Sequence, residues 1–177
     1  HGAQFCFHEM SDSNSMVFAS RPKTDDIHQY HPQDLPVAAQ LLGADPDIML
    51  KAAKIILEIN PHISFLDINA ACPVNKIIKK KAGAFLLCEP DRLYRMIDKL
   101  SSFLPLPITV KLRTGYLAKD PENIAMIAKQ CEQSGAKALF VHGRTREQMD
   151  SGPVDHESLK AIKAAVKIPV IASGNIF

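Results

Sequence analysis

Cys72 has the setting that most suggests chemistry. It follows the apolar run 63–68 and polar Asn69, and it precedes Pro73 and four lysines, Lys76, Lys79, Lys80 and Lys81. A cysteine near a strand is most often a packed core residue. A thiol just past a strand end, between an amide and a proline, is better placed to exchange a proton with a ligand. Thiols of ordinary pKa, near ~8.5, are mostly protonated at neutral pH, which suits donation to a carbanion-like carbon. Attack as a nucleophile requires a depressed pKa instead. The lysines offer that depression, a grip on phosphate, or only a solvated helix face, and their pattern alone does not choose.

Residues of similar promise recur down the chain. Lys111 ends the run Ile108-Thr109-Val110, and Arg113 follows two positions later. One of the two is expected to face inward, where a cation can hold an anionic oxygen or a reduced ring. A snorkelling surface lysine is the plainer alternative. His142 ends the run 138–141 and leads into Gly143-Arg144-Thr145-Arg146; guanidinium forks suit phosphates. Ser173-Gly174-Asn175 sets a glycine between two small polar residues, a turn whose backbone N–H groups can cradle a phosphate. Gln40, after Val37-Ala38-Ala39, can hydrogen-bond the edge of a planar ring, and a purely structural amide fits it nearly as well.

These groups need a frame. The hydrophobic pattern predicts strands at residues 4–8, 36–41, 63–68, 108–110, 138–141 and 169–172. Helices are predicted at 46–58, 91–103, 121–134 and 156–166. Asp45-Pro46 and Asp120-Pro121 each place an N-cap before a first-turn proline, and Gly135 is a helix stop. Strands alternating with helices mean a parallel sheet covered by helices. The polar residues ending the strands are Glu9, Gln40, Asn69, Lys111, His142 and Ser173, spaced at about one βα unit each. An open doubly wound sheet gathers its site at one switch point, whereas a (β/α) barrel gathers residues from the carboxyl ends of many strands. The pattern favours the barrel, and no G-x-G-x-x-G follows the first strand to support dinucleotide binding. A full barrel has eight units in about 250 residues. The expectation for 177 residues is therefore an α/β, TIM-type barrel, incomplete, with about six βα units and the first and eighth strands missing.

Composition sets limits on function. The chain is 46% hydrophobic and 23% charged, as an ordinary globular domain is, and has a net charge of +2, so nucleic-acid binding must rest on local clusters. Cys6, Cys72, Cys88 and Cys131 show neither disulfide nor metal spacing, which predicts no metal and a reducing, cytoplasmic setting. No apolar run approaches the roughly 20 residues of a membrane span, and the amino-terminal residues do not read as a secretory leader.

Asp67-Ile68-Asn69-x-x-Cys72-Pro73, with the later Gly83-Ala84-x-Leu86-Leu87, resembles the signature of the tRNA-dihydrouridine synthases. Val110-Lys111-Leu112-Arg113-Thr114-Gly115, Val141 to Gln148 and Ile168 to Asn175 fit the same family in the same order, as do His8-Glu9-Met10 and Ala39 to Gly43. The resemblance covers essentially the whole chain. It implies an FMN-binding barrel followed by a helical tRNA-holding domain, with NADPH reducing the flavin. Reduced flavin then passes hydride to C6 of a flipped-out uridine in tRNA, and a cysteine protonates C5. Cys72 matches that catalytic donor and Asn69 a residue near the substrate base. Gln40, Lys111, His142, Ser173, Gly174 and Asn175 match cofactor contacts, and Arg113 and Arg144 match substrate or flavin contacts. Two departures stand out: Ala71 where the family usually has Gly, and Ser173-Gly174-Asn175 where it usually has Asn-Gly-Asp. His1-Gly2-Ala3 aligns with the end of the family's first barrel helix, so residues 1–177 correspond to a partial barrel without the helical domain. Two other readings remain: an FMN barrel reducing a free pyrimidine or small enone, and an inactive RNA-binding or assembly module.

Overall fold

The computed structural model describes residues 5–19, 26–29, 31, 33 and 36–175. Seven strand segments form one parallel sheet: β1 (Cys6–Phe7), β2 (Ser11–Asp12), β3 (Val37–Leu42), β4 (Phe65–Ala70), β5 (Ile108–Arg113), β6 (Ala138–His142) and β7 (Val170–Ser173). The order is β1-β3-β4-β5-β6-β7, with β2 also on β3. Phe7 pairs with Ala38 and Ser11 with Leu41, so the first segments carry one residue more than β3 over the same stretch. β1 and β2 are thus one strand position broken by a bulge, and the six expected positions are present.

The sheet curls into an open-sided barrel. Phe5 and Phe7 of the first strand position reach Phe140 of β6 with ring centroids 6.0 and 5.4 Å apart. Four strand spacings separate β1 from β6 along the sheet, about 19 Å were it flat, so this contact requires closure. Period-two alternation sorts the side chains. Leu66, Ile68, Ala70, Val110, Leu112, Leu139 and Val141 face the helices and join the main core with Met49, Ile56, Leu93 and Ile97. Each buried leucine or isoleucine there contributes roughly 1.5–3 kcal/mol. Phe65, Asp67, Thr109 and Phe140 face the interior instead.

The helices are α1 (Ser13–Phe18), α2 (Pro46–Ile59), α3 (Asn75–Lys79), α4 (Pro90–Phe103), α5 (Pro121–Gln133) and α6 (His156–Ala165). Asp45 caps α2 by accepting from the N–H groups of Asp47 and Ile48, and Asp120 caps α5 by accepting from Asn123 N–H. Gly135 leaves α5 at φ +113°, as its role as a stop requires.

Several expectations need correction. β4 runs on to Ala70 and β5 to Arg113, because Asn69 pairs with Lys111 and Ala70 with Leu112 in the ladder. Asn69 and Lys111 therefore sit within strands rather than just beyond them. α1, α3 and the 3-10 turn Gly83–Leu87 were not expected; they are short and lack a long apolar period. The strand expected at residues 4–8 is confined to Cys6–Phe7 among the described residues, and Gln4, like His1-Gly2-Ala3, lies outside them. Among the described residues no helix is long and apolar enough to cross a membrane, and no group of three or more His, Cys, Asp or Glu could hold a metal.

Candidate active site at the carboxyl ends of the strands

Cys72 lies two residues beyond β4, half-buried, on a loop held from two sides. Asn69 Oδ1 accepts from the backbone N–H groups of Ala71 and Cys72 at 3.1 and 2.8 Å, an Asx-type turn that fixes the loop's exit. From the other side, Ala84 N–H donates to the Cys72 carbonyl at 3.0 Å. Gly83, at φ +62°, packs directly against Cys72. The spacing between the cysteine and the Gly-Ala pair is thus a contact, with α3 forming the loop that returns the chain.

Below the cysteine lies a chain of polar contacts. Thr109 Oγ1 donates to Asp67 Oδ1 at 2.6 Å, and Gln40 Nε2 donates to Asp67 Oδ2 at 2.7 Å. Asn69 Nδ2 donates to Gln40 Oε1 at 2.8 Å and lies 3.0 Å from Met10 Sδ, which the bulge of the first strand position brings into reach. Asp67 is fully buried, and burial raises its carboxyl to about 6, against the pull of Thr109, Gln40 and nearby Lys111. The sequence motif named Asp67 only as part of a signature. Its role is visible once β3, β4 and β5 are laid side by side.

Lys111 and Arg113 both face the interior. Residues two apart on a strand share a face, which corrects the expectation that only one would turn inward. Lys111 Nζ donates to Ser173 Oγ at 3.3 Å, and burial lowers the lysine's pKa, Arg113 adding to that and Asp67 opposing it. Arg113, nearly buried, donates from Nε to the Ala71 carbonyl at 2.8 Å and from NH1 to the Thr145 carbonyl at 3.1 Å and to the Met149 carbonyl. Its NH2 meets Asp150 at 3.3 Å. The guanidinium clamps the β4, β5 and β6 loops together, and its N–H groups are turned to protein partners.

His142, at the end of β6, lies opposite Ser173 in the ladder. Its Nδ1 is buried with no partner among the described residues, and its Nε2 is 3.7 Å from Asp150. Burial lowers its pKa, and the cations Arg113, Lys111 and Arg144 push the same way against Asp150. These influences favour the neutral ring over the imidazolium. Arg144 donates from Nε to the Gly152 carbonyl at 2.8 Å and from NH1 to the Gly174 carbonyl at 2.9 Å. Gly174 and Asn175 take successive left-handed conformations, φ +103° and +60°. A Cβ at 174 would lie 3.0 Å from the His142 ring, so glycine is what lets the turn close over the histidine. Glu9, the remaining polar strand end, is exposed.

Two hollows flank this network. A cleft of about 490 Å³ starts at Pro73, the residue after Cys72, and is lined by Pro73, Val74, Asn75, Lys76, Arg146, Glu147 and Met149. Arg146 spans it, bonded to Asn75 and Glu147 and lying 5.6 Å above the Tyr116 ring. The sequence pattern offers Arg144 and Arg146 alike as guanidinium forks, the family resemblance points to Arg144, and only the loop geometry separates the two. An apolar hollow of about 260 Å³ among Phe5, Phe65, Phe140 and Ile171 marks the opposite end of the barrel, with Ser64, Thr109 and Lys137 its polar lining residues. All four lysines after Cys72 are exposed. Lys80 and Lys81 pair with Asp12 and Glu89 at 3.2 and 3.5 Å, and Lys76 lines the cleft. Ala71 is buried and is not among the described residues with positive φ, so alanine fits the backbone at this position. Among the described residues, Cys72, Cys88 and Cys131 are in no disulfide.

The fold is shared with a putative lyase/mutase from Burkholderia cenocepacia J2315, at TM-score 0.58 and 14% identity over 96% of this chain and 63% of that one. In sequence, the chain is 39% identical over 177 residues to tRNA-dihydrouridine synthase B of Pasteurella multocida, covering 99% of this chain and 52% of that protein. It is 35% identical over 175 residues to a probable tRNA-dihydrouridine synthase of Rhodobacter capsulatus, covering 99% and 53%. The chain spans about half the length of the curated relatives it matches. The family model for dihydrouridine synthase (Dus) matches residues 1–177. The chain belongs to the dihydrouridine synthase family.

Proposed function

We propose that this chain is the catalytic-barrel portion of a flavin-dependent tRNA-dihydrouridine synthase, and that Cys72 is its proton donor. One observation carries the reading: Cys72, Lys111, His142 and the Ser173–Gly174–Asn175 turn, from four successive parallel strands, meet at one end of an open barrel. That is where barrel enzymes keep their sites.

The residues present fit a flavin mononucleotide. His142 offers a buried nitrogen with no partner among the described residues, and the consecutive left-handed residues Gly174 and Asn175 are suited to turn backbone N–H groups toward a phosphate. Gln40, Lys111 and His142 would hold the ring system, with Ser173, Gly174 and Asn175 at the phosphate. When bound and reduced by NADPH, FMN supplies the hydride that goes to C6 of a uracil ring. Lys111 would present its amino group to the electron-rich ring. Cys72 delivers its proton to C5, and the turn made by Asn69 holds the donor in place. Arg113 orients the loop that carries Ala71 and Cys72.

The substrate is a uridine in tRNA, unstacked so that C5 and C6 reach the cleft beside Cys72. Lys76, with Arg146 over Tyr116, gives that cleft the mixed cationic and aromatic surface that suits a nucleic-acid strand. Arg144 supports the phosphate turn through the Gly174 carbonyl rather than reaching for substrate. Such a role belongs in the cytoplasm. The test is the full-length protein: it purifies yellow and forms dihydrouridine in unmodified tRNA, not in free uridine nucleotides. Activity on free pyrimidines alone would favour the small-substrate reading, and a colourless protein that only binds RNA would favour the inactive module.

A further inference from the structure

We infer that Asp67 is a positioning residue for the Cys72 loop: by accepting from Gln40 Nε2 it fixes which way the Gln40 and Asn69 amides face, and so turns the Asn69 oxygen onto the N–H groups of Ala71 and Cys72. The argument is one of polarity. An ionised carboxylate only accepts hydrogen bonds, so the Gln40 side facing it must be the NH2. That leaves Gln40 Oε1 toward Asn69, which must present its own NH2 at 2.8 Å. The Asn69 oxygen is then the atom left to face the loop, where it accepts from Ala71 and Cys72 at 3.1 and 2.8 Å. Reversing Asn69 would set its NH2 against the backbone N–H groups, donor against donor; reversing Gln40 would set its oxygen against the carboxylate and its NH2 against that of Asn69. Asp67 itself is anchored by Thr109 Oγ1 at 2.6 Å on its other oxygen.

The carboxylate thus acts through the neighbouring strand β3 on a loop it does not touch. It is fully buried, where a carboxyl group is costly unless it has a task or strong partners. Lys111, on the neighbouring strand, supplies the charge that favours its ionised form. The consequence for catalysis rests on the reading of Cys72 as proton donor; the structural claim does not.

The experiment measures hydrogen exchange at single amides in the full-length protein. Asp67→Leu removes the acceptor while keeping the side chain's size. Protection at Ala71 and Cys72 should fall at least about fivefold, the equivalent of one ordinary hydrogen bond, while the β4 and β5 ladder amides stay protected. Asp67→Asn should retain protection, because its oxygen can still face Gln40 while Thr109 turns its hydroxyl to accept. Unchanged protection at Ala71 and Cys72 in Asp67→Leu, or selective loss there in a folded Asp67→Asn, overturns the proposal. Should Asp67→Leu lose protection everywhere, Gln40→Met decides: it cuts the same relay at a less buried position. Selective loss at Ala71 and Cys72 then supports the proposal, and full protection overturns it. A failure of dihydrouridine synthesis in the unmutated protein would count against the assigned activity and leave these exchange results standing.

Discussion

Gly83 sits against Cys72 too closely for any side chain: a Cβ on Gly83 would lie 2.7 Å from the Cys72 carbonyl oxygen and 3.0 Å from the Cys72 Cβ. The glycine also occupies the left-handed region at φ +62°. It lets the returning chain supply the Ala84 N–H that holds the Cys72 carbonyl.

Gly83→Ala should therefore both strain the backbone and push the cysteine loop away. We expect a loss of about 1–3 kcal/mol in unfolding free energy, read by chemical denaturation. A larger proportional loss in dihydrouridine formation should accompany it. A variant of unchanged stability would show that the loop has room to yield.

Gly174→Ala tests the other end of the site. The added methyl meets the His142 ring at 3.0 Å and Arg144 NH1 at 3.3 Å, at a φ of +103°. Flavin retained through purification, measured by visible absorbance per protein, should fall by roughly tenfold, the effect of about 1.4 kcal/mol on affinity. Full retention would remove this turn from the cofactor assignment.

His28 gives a prediction in pH. It is fully buried; its Nε2 is 2.9 Å from Ser11 Oγ and its Nδ1 is 3.1 Å from His8 Nδ1. Burial, with His8 adding to it, lowers its pKa from 6.5 to about 4. The unfolded chain binds a proton that the fold does not accept, so this group's contribution is complete above the ordinary value and is lost as pH falls toward 4. Asp67, raised to about 6 chiefly by burial, acts oppositely: its burial costs stability as pH rises from the ordinary carboxylate range through 6. The two overlap, so the measurement is a difference. Wild type minus His28→Phe stability, followed by denaturation from pH 7 to pH 4, should fall with acid. A flat difference contradicts the buried neutral imidazole.

The chemistry-bearing strand ends were legible in the sequence because apolar runs and polar ends alternate along it. Gln40, Asn69, Lys111, His142 and Ser173 recur one unit apart on five successive strands, as their spacing implies, although Asn69 and Lys111 lie inside β4 and β5 rather than just past their ends. What could not be read was which partner each side chain takes. The clamp of Arg113 on Ala71, Thr145 and Met149, and the relay from Asp67 to Asn69, depend on lateral register between strands far apart in sequence. The inward facing of both Lys111 and Arg113 was within reach of the sequence, since it follows from period two alone. α3 and the 3-10 turn Gly83–Leu87 are too short for periodicity to reveal.

The central claim is tested most directly by Cys72→Ala in the full-length protein, assayed for dihydrouridine in unmodified tRNA alongside flavin absorbance. The account predicts a yellow protein whose tRNA product falls by at least about a hundredfold, the usual scale for losing a positioned acid. Normal tRNA reduction by that variant would contradict Cys72 as the proton donor.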